Sequence, residues 1–118
     1  MVGRKKALQS MWKDRMTVIE YAEVTRPGGG TVHREVTVME DIPCRLSFSS
    51  IQAANQNDAG AAIIQTVKLF CDSGLNIPAG SKIVVRRGDR TLQYCQSGEA
   101  ALYTHHQEIV LVPFEEWT

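Results

Sequence analysis

At 118 residues the chain is long enough for one domain and too short for two. It is 43% hydrophobic and 22% charged, an ordinary globular composition, and its 13 basic residues are balanced by 13 acidic ones, which argues against a general nucleic-acid binder. No apolar run approaches the roughly 18 residues of a membrane span, and no apolar stretch follows the basic N-terminus as in a signal peptide, so the expected address is the cytoplasm of the cell that makes it.

Residues 2–15 place Leu8, Met11 and Trp12 at i, i+3 and i+4, one face of a short helix. Arg4, Lys5, Lys6, Lys13 and Arg15 surround that face with only Asp14 against them. Two readings stay open: a helix capping one end of the domain, and a basic arm that docks on a partner. Residues 16–24, MTVIEYAEV, are rich in β-branched and aromatic side chains and predict a strand. Arg26-Pro27-Gly28-Gly29-Gly30 turns the chain, and residues 31–39 alternate Val32, Val36 and Val38 against His33, Glu35 and Thr37, a hairpin partner. The glycines match no phosphate-binding motif, since neither GxGxxG nor GK[ST] is present.

Asp41-Ile42-Pro43 reads as an interruption, after which residues 44–48 alternate Cys44, Leu46 and Phe48 inward. Residues 63–70, IIQTVKLF, carry apolar side chains on both faces, as in a strand covered on both sides. Between them lies SFSSIQAANQNDAGAA, with Asp58 as its only ionisable group. A hairpin turns in about two to five residues, so a connection this long is expected to be functional or disordered. Turns at residues 72–74 and 78–80 precede a strand at 81–86, and Arg87-Gly88-Asp89-Arg90 reads as a tight charged turn into a hairpin strand at 91–96. The last strand falls within residues 101–112, where Ile109 and Leu111 alternate with Val110 and Val112. The expected fold is all-β: a small barrel or sandwich, residues 16–118, with a short N-terminal helical arm, residues 1–15, and a long inter-strand loop at about 49–60.

Little here points to catalysis. Cys44, Cys71 and Cys95 are widely spaced, contain no CxxC, and sit in strand-like apolar context, so buried reduced thiols are expected rather than a zinc site or a redox pair. Adjacent strand residues face opposite ways, so His105 and His106 cannot readily share a metal, and His106 with Glu108 supplies only two ligands. Asp14, Glu108 or a Ser–His pair could be enlisted for hydrolysis, but no G-x-S-x-G or acid–base spacing accompanies them. The Arg-Gly-Asp within residues 87–89 reads as a hairpin tip. No enzyme activity, metal or cofactor is expected.

Six phrases in order, MTVIEY, CRLS, QTVKLF, IPAGSKIVV, YCQSG and YTHHQEIVL, give the chain from Met16 onward a pattern that resembles the head-closure, or head–tail joining, proteins of long-tailed bacteriophages and prophages. The resemblance implies a small β-barrel subunit of a homo-oligomeric, dodecameric ring in the virion neck, assembled in the host cytoplasm. Portal and adaptor proteins would lie above it, tail terminator or tail tube below, and packaged double-stranded DNA in the channel without sequence-specific binding; no membrane is involved. In that family a long loop between barrel strands projects into the channel and helps retain DNA. Carried over, this assigns Ser49, Ser50, Ile51, Gln52, Asn55, Gln56, Asn57, Asp58 and Gly60 to the channel loop. It assigns partner contacts to Arg4, Lys5, Lys6, Leu8, Met11 and Trp12 in the arm and to Arg86, Arg87 and Arg90. The loop departs from a DNA-gripping element in having no Lys or Arg; its amides can instead hydrogen-bond between copies. The alternatives are a tail-terminator or other connector ring and, in a different class, an OB-like single-strand nucleic-acid binder using Tyr21, Tyr94 and Tyr103 beside residues 86–90.

Overall fold

A computed structural model describes residues 10–52 and 63–117. Six antiparallel strands are formed: β1 (Asp14–Thr25), β2 (Thr31–Gln52), β3 (Ile63–Cys71), β4 (Lys82–Arg87), β5 (Arg90–Leu102) and β6 (Gln107–Pro113). They close into a barrel in the order β1-β2-β3-β6-β5-β4. Closure follows from the alternation, because every strand contributes one inward row: Met16 and Val18, Cys44 and Leu46, Val67, Leu69 and Cys71, Ile83 and Val85, Tyr94, Ile109 and Leu111. Closure leaves the barrel strands without an open edge. The connection from β3 to β4 drops Ile77 into the same cluster. Two buried glutamines hold it there: Gln96 Nε2 donates to the Ile77 carbonyl at 3.0 Å, and Gln107 Nε2 donates to the carbonyls of Asp72 and Leu75 at 2.9 and 2.8 Å.

Three features differ from the sequence-based expectations. Asp41-Ile42-Pro43 does not break the chain: β2 runs unbroken for 22 residues. Asp41 takes φ +54°, and the register slips from Met16 opposite Ile42 to Ile19 opposite Thr37. The slip bends β2 so that its first part pairs with β1 and its last part with β3. Pro43 sits at this handover, where its missing N–H costs least. The second difference concerns the loop. Ser49, Ser50, Ile51 and Gln52 are not loop residues but the end of β2, paired with Thr66, Gln65, Ile64 and Ile63. The third is the N-terminal arm: the helix is absent from the described residues, where Ser10 and Met11 form a turn and Asp14 already starts β1. Phe48 was also expected inside; it lies beyond the packed cluster and is 41% exposed.

Two ladders run past the barrel. β4 reaches only Arg15–Ile19 of β1, so residues 20–25 and 31–36 pair with each other alone, as a two-stranded ribbon. β6 reaches only Val67–Cys71 of β3, so residues 49–52 and 63–66 form a second such stem. The radius of gyration is accordingly 17.3 Å, against about 13–14 Å for a compact domain of this length.

Candidate assembly surfaces

One end of the barrel is fixed by a buried carboxylate. The Asp14 side chain lies at the start of β1, and Arg87 at the end of β4 forks onto it, Nε to Oδ1 at 2.9 Å and Nη2 to Oδ2 at 2.8 Å. The Leu46 amide of β2 donates to Oδ2 at 2.9 Å, and Arg87 Nη2 also donates to the Leu46 carbonyl at 2.6 Å. Burial alone would raise the Asp14 pKa; the hydrogen bonds from Arg87 and Leu46 and the charges of Arg87 and Arg45 outweigh it and hold the carboxyl below its ordinary value. Three strands are thereby stitched at one point. Arg87, singled out in the sequence for partner contacts, spends its guanidinium on this clamp and stacks over Phe48, 5.5 Å from the ring centre. Arg86 and Arg90 are exposed beside it.

At the ribbon, the C-terminal segment folds back over the outer surface. The Trp117 ring stacks on Tyr21 at 5.2 Å, and Tyr21 stacks on His33 at 5.5 Å. Trp117 Nε1 and Lys82 Nζ both donate to Glu35 Oε2, at 2.9 and 3.0 Å. Phe114 packs edge-on against Trp117 and under the Lys82 ammonium. The Glu35 carboxyl is held below its ordinary value by the Trp117 and Lys82 hydrogen bonds. This strap ties β6 to a ribbon that otherwise has no neighbour. The sequence reading missed it, and its only sequence signal is the aromatic pair Phe114 and Trp117 after the last alternating strand.

The remaining candidates separate clearly. Trp12 is buried at 5% exposure, whereas Met11 is 58% exposed. Arg4, Lys5, Lys6 and Leu8 lie outside the described residues, as do Asn55, Gln56, Asn57, Asp58 and Gly60. Tyr94 is buried, which removes it from the stacking row that the nucleic-acid reading requires. His106 is part of a polar edge: Nε2 is 3.1 Å from Glu108 Oε2, and its ring stacks between Phe70 and Tyr103. Among the described residues no group of three or more His, Cys, Asp or Glu could hold a metal. Cys44 and Cys71 are free and buried, their thiols pushed up to about 12 mainly by burial; Cys95 is half-buried. No helix among the described residues is long and apolar enough to cross a membrane.

No protein-family model matches the chain, and no curated protein matches it in sequence. Among solved structures the barrel is similar to that of the phage-like element PBSX protein xkdH from Bacillus subtilis, with a TM-score of 0.51 at 15% identity, covering 84% of this chain and 91% of the other. At that identity the likeness establishes a shared fold.

Proposed function

We propose that this chain is a non-enzymatic structural subunit of a phage virion, forming a ring at the head–tail junction that closes the DNA-filled head and presents a docking surface to the tail. The observation that carries the proposal is the likeness of nearly the whole barrel to a protein of a phage-like element. It agrees with the family resemblance of the strand sequences. The architecture supports the same reading: a closed barrel has no edge left for sheet extension, while two paired arms reach beyond it. The β2–β3 stem, residues 49–52 paired with 63–66, flanks the segment 53–62, whose only ionisable group is Asp58. Its copies meet through amides rather than through phosphate contacts.

Particles assembled with a tagged copy of the chain test the proposal by electron microscopy. Label at the neck supports it; label on the capsid shell or along the tail refutes it, and label at the tail end of the neck favours a tail-terminator ring. Deletion of residues 53–62 is expected to give particles that lose DNA or fail to join tails. Normal titre and full DNA retention would remove the plug role.

A further inference from the structure

Two surface features lie at separate seams of the barrel, β4–β1 and β5–β6. The first is a concavity of about 530 Å³ over the β4–β1 seam, floored by Arg15, Arg86 and Thr91 and bounded by Glu40 and Asp41. Arg15 and Arg86 are directly opposed in the β1–β4 ladder, and both are exposed. Like charges at opposed antiparallel positions repel. Neither guanidinium has an ion pair among the described residues, although two carboxylates share the concavity. The second feature is the β5–β6 turn. Leu102 is 70% exposed and Tyr103 is 51% exposed at its tip. The tip is rigid: the Tyr103 amide donates to the His106 carbonyl at 2.8 Å, and the Tyr103 ring stacks on His106 at 4.7 Å and 8°. Beside it, the β5 bulge between Gln96 and Ala100 sets out Glu99, exposed and without an ion pair among the described residues.

We propose that these two features are the halves of a heterologous contact between copies of this chain, with the Leu102–Tyr103 knob of one copy seated in the Arg15–Arg86 concavity of the next. The proposal rests on the ring reading and specifies its subunit contact. The strand order places the concavity at the β4–β1 seam and the knob at the β5–β6 turn, two strands further round the barrel. Separate placement is what a ring of identical subunits requires, since each copy must offer a different patch to each neighbour. The chemistry is complementary. The Tyr103 ring covers a guanidinium face, and its phenol O–H donates to the Glu40 or Asp41 carboxylate. Glu99 brings the negative charge that relieves the Arg15–Arg86 repulsion. A pre-ordered aromatic flanked by an exposed leucine is the type of anchor that dominates such interfaces.

The test uses the purified full chain in sedimentation over a concentration series, with cysteine cross-linking. Tyr103→Ala and Arg86→Glu are each expected to weaken self-association by about tenfold or more, with thermal melting unchanged because both side chains lie outside the core. Glu99→Arg is expected to weaken it too, and the double variant Arg86→Glu/Glu99→Arg to restore much of the loss. Chains carrying Thr91→Cys and Thr104→Cys together, with Tyr103 kept, should form a ladder of cross-linked oligomers under oxidation, and neither substitution alone should. Association unaffected by Tyr103→Ala and Arg86→Glu overturns the contact while leaving the ring reading intact. A chain that stays monomeric and yields no ladder also overturns the contact. Neck labelling of particles then decides the ring reading separately.

Discussion

Replacing Arg87 by Met removes the fork from Asp14 and keeps an apolar stem over Phe48. The Asp14 residue is only 4% exposed, so its carboxylate cannot turn out to water and retains the Leu46 amide alone. Two charge-assisted hydrogen bonds to Asp14 are lost, each worth about 1.5–3 kcal/mol, together with the one to the Leu46 carbonyl, and removing one partner of a buried pair costs about 3–5 kcal/mol. The Arg87 side chain is 41% exposed, so solvent already screens part of the attraction, and the lower end applies. The expected loss is about 3 kcal/mol at neutral pH, roughly a 10–12 °C fall in Tm for a domain of this size. The pH dependence is the sharper signature. In the native chain the Asp14 pKa lies below its ordinary value of 3.8. The clamp therefore stabilises above about pH 4 and is lost as pH falls through the folded-state value. Without Arg87 the folded-state pKa rises, because burial is then opposed only by the Leu46 amide and the Arg45 charge. That carboxyl then contributes less stability at neutral pH than in the native chain, so the gap between native and variant narrows from pH 7 to pH 3. Differential scanning calorimetry of both proteins across that range measures the gap. The double variant Asp14→Leu/Arg87→Met, with no stranded carboxylate, should melt above Arg87→Met. A deficit under about 1 kcal/mol, or one constant with pH, would refute the assignment of a buried, arginine-dependent carboxylate.

Three further outcomes follow from the same geometry. Trp117→Ala or Glu35→Ala should lower amide hydrogen-exchange protection along residues 20–25 and 31–36 while leaving β3 and β6 protected; because the Glu35 carboxyl is held below its ordinary 4.5, acidification through that region should lower the protection factors of the same residues in the native chain, measured against intrinsic rates at each pH. With Cys44 and Cys71 buried and their thiols near 12, a thiol reagent at pH 8 should modify at most Cys95 quickly in the native protein and all three cysteines after denaturation. Asp41→Gly should be neutral or stabilising by up to about 1 kcal/mol in urea unfolding, because the residue occupies left-handed backbone, whereas Asp41→Val should destabilise by about 1–2 kcal/mol.

The strands were legible wherever one face is buried. Met16 with Val18, Val67 with Leu69, Ile83 with Val85 and Ile109 with Leu111 each alternate, and each pair points into the barrel. The spacing of Leu8, Met11 and Trp12 predicts a helix over residues that lie mostly outside the described ones; of that stretch, Met11 is in a turn and exposed while Trp12 is buried just before β1. Asp41 and Pro43 carry the local marks of a break, and only the change of partner from β1 to β3 explains why the strand runs through them. Ser49–Gln52 look like loop by composition, but β3 offers the β-branched partners Thr66, Ile64 and Ile63, and the ladder extends along them. The Asp14–Arg87 clamp joins residues 73 apart in sequence, and Gln96 and Gln107 gain meaning only from carbonyls in the β3–β4 connection. No local pattern announces such contacts.

The two arms are not equivalent, and the difference bears on which one is built to change partners. A two-stranded ladder in water is marginal without a third strand or a packed face. The β1–β2 ribbon has its packed face within the same chain, because Trp117, Phe114 and Lys82 cover Tyr21 and Glu35. The described part of the β2–β3 stem has no comparable strap; its nearest support is the Arg87–Phe48 contact at its base. A segment paired only with itself and carrying no charge beyond Asp58 gains most from surfaces outside its own barrel. In a ring those surfaces are the same segment of other copies. The ring proposal therefore assigns the fixed spacing to the ribbon and the switching contact to the stem, and loss of residues 53–62 should leave barrel stability intact while removing whatever the assembled ring does with its channel.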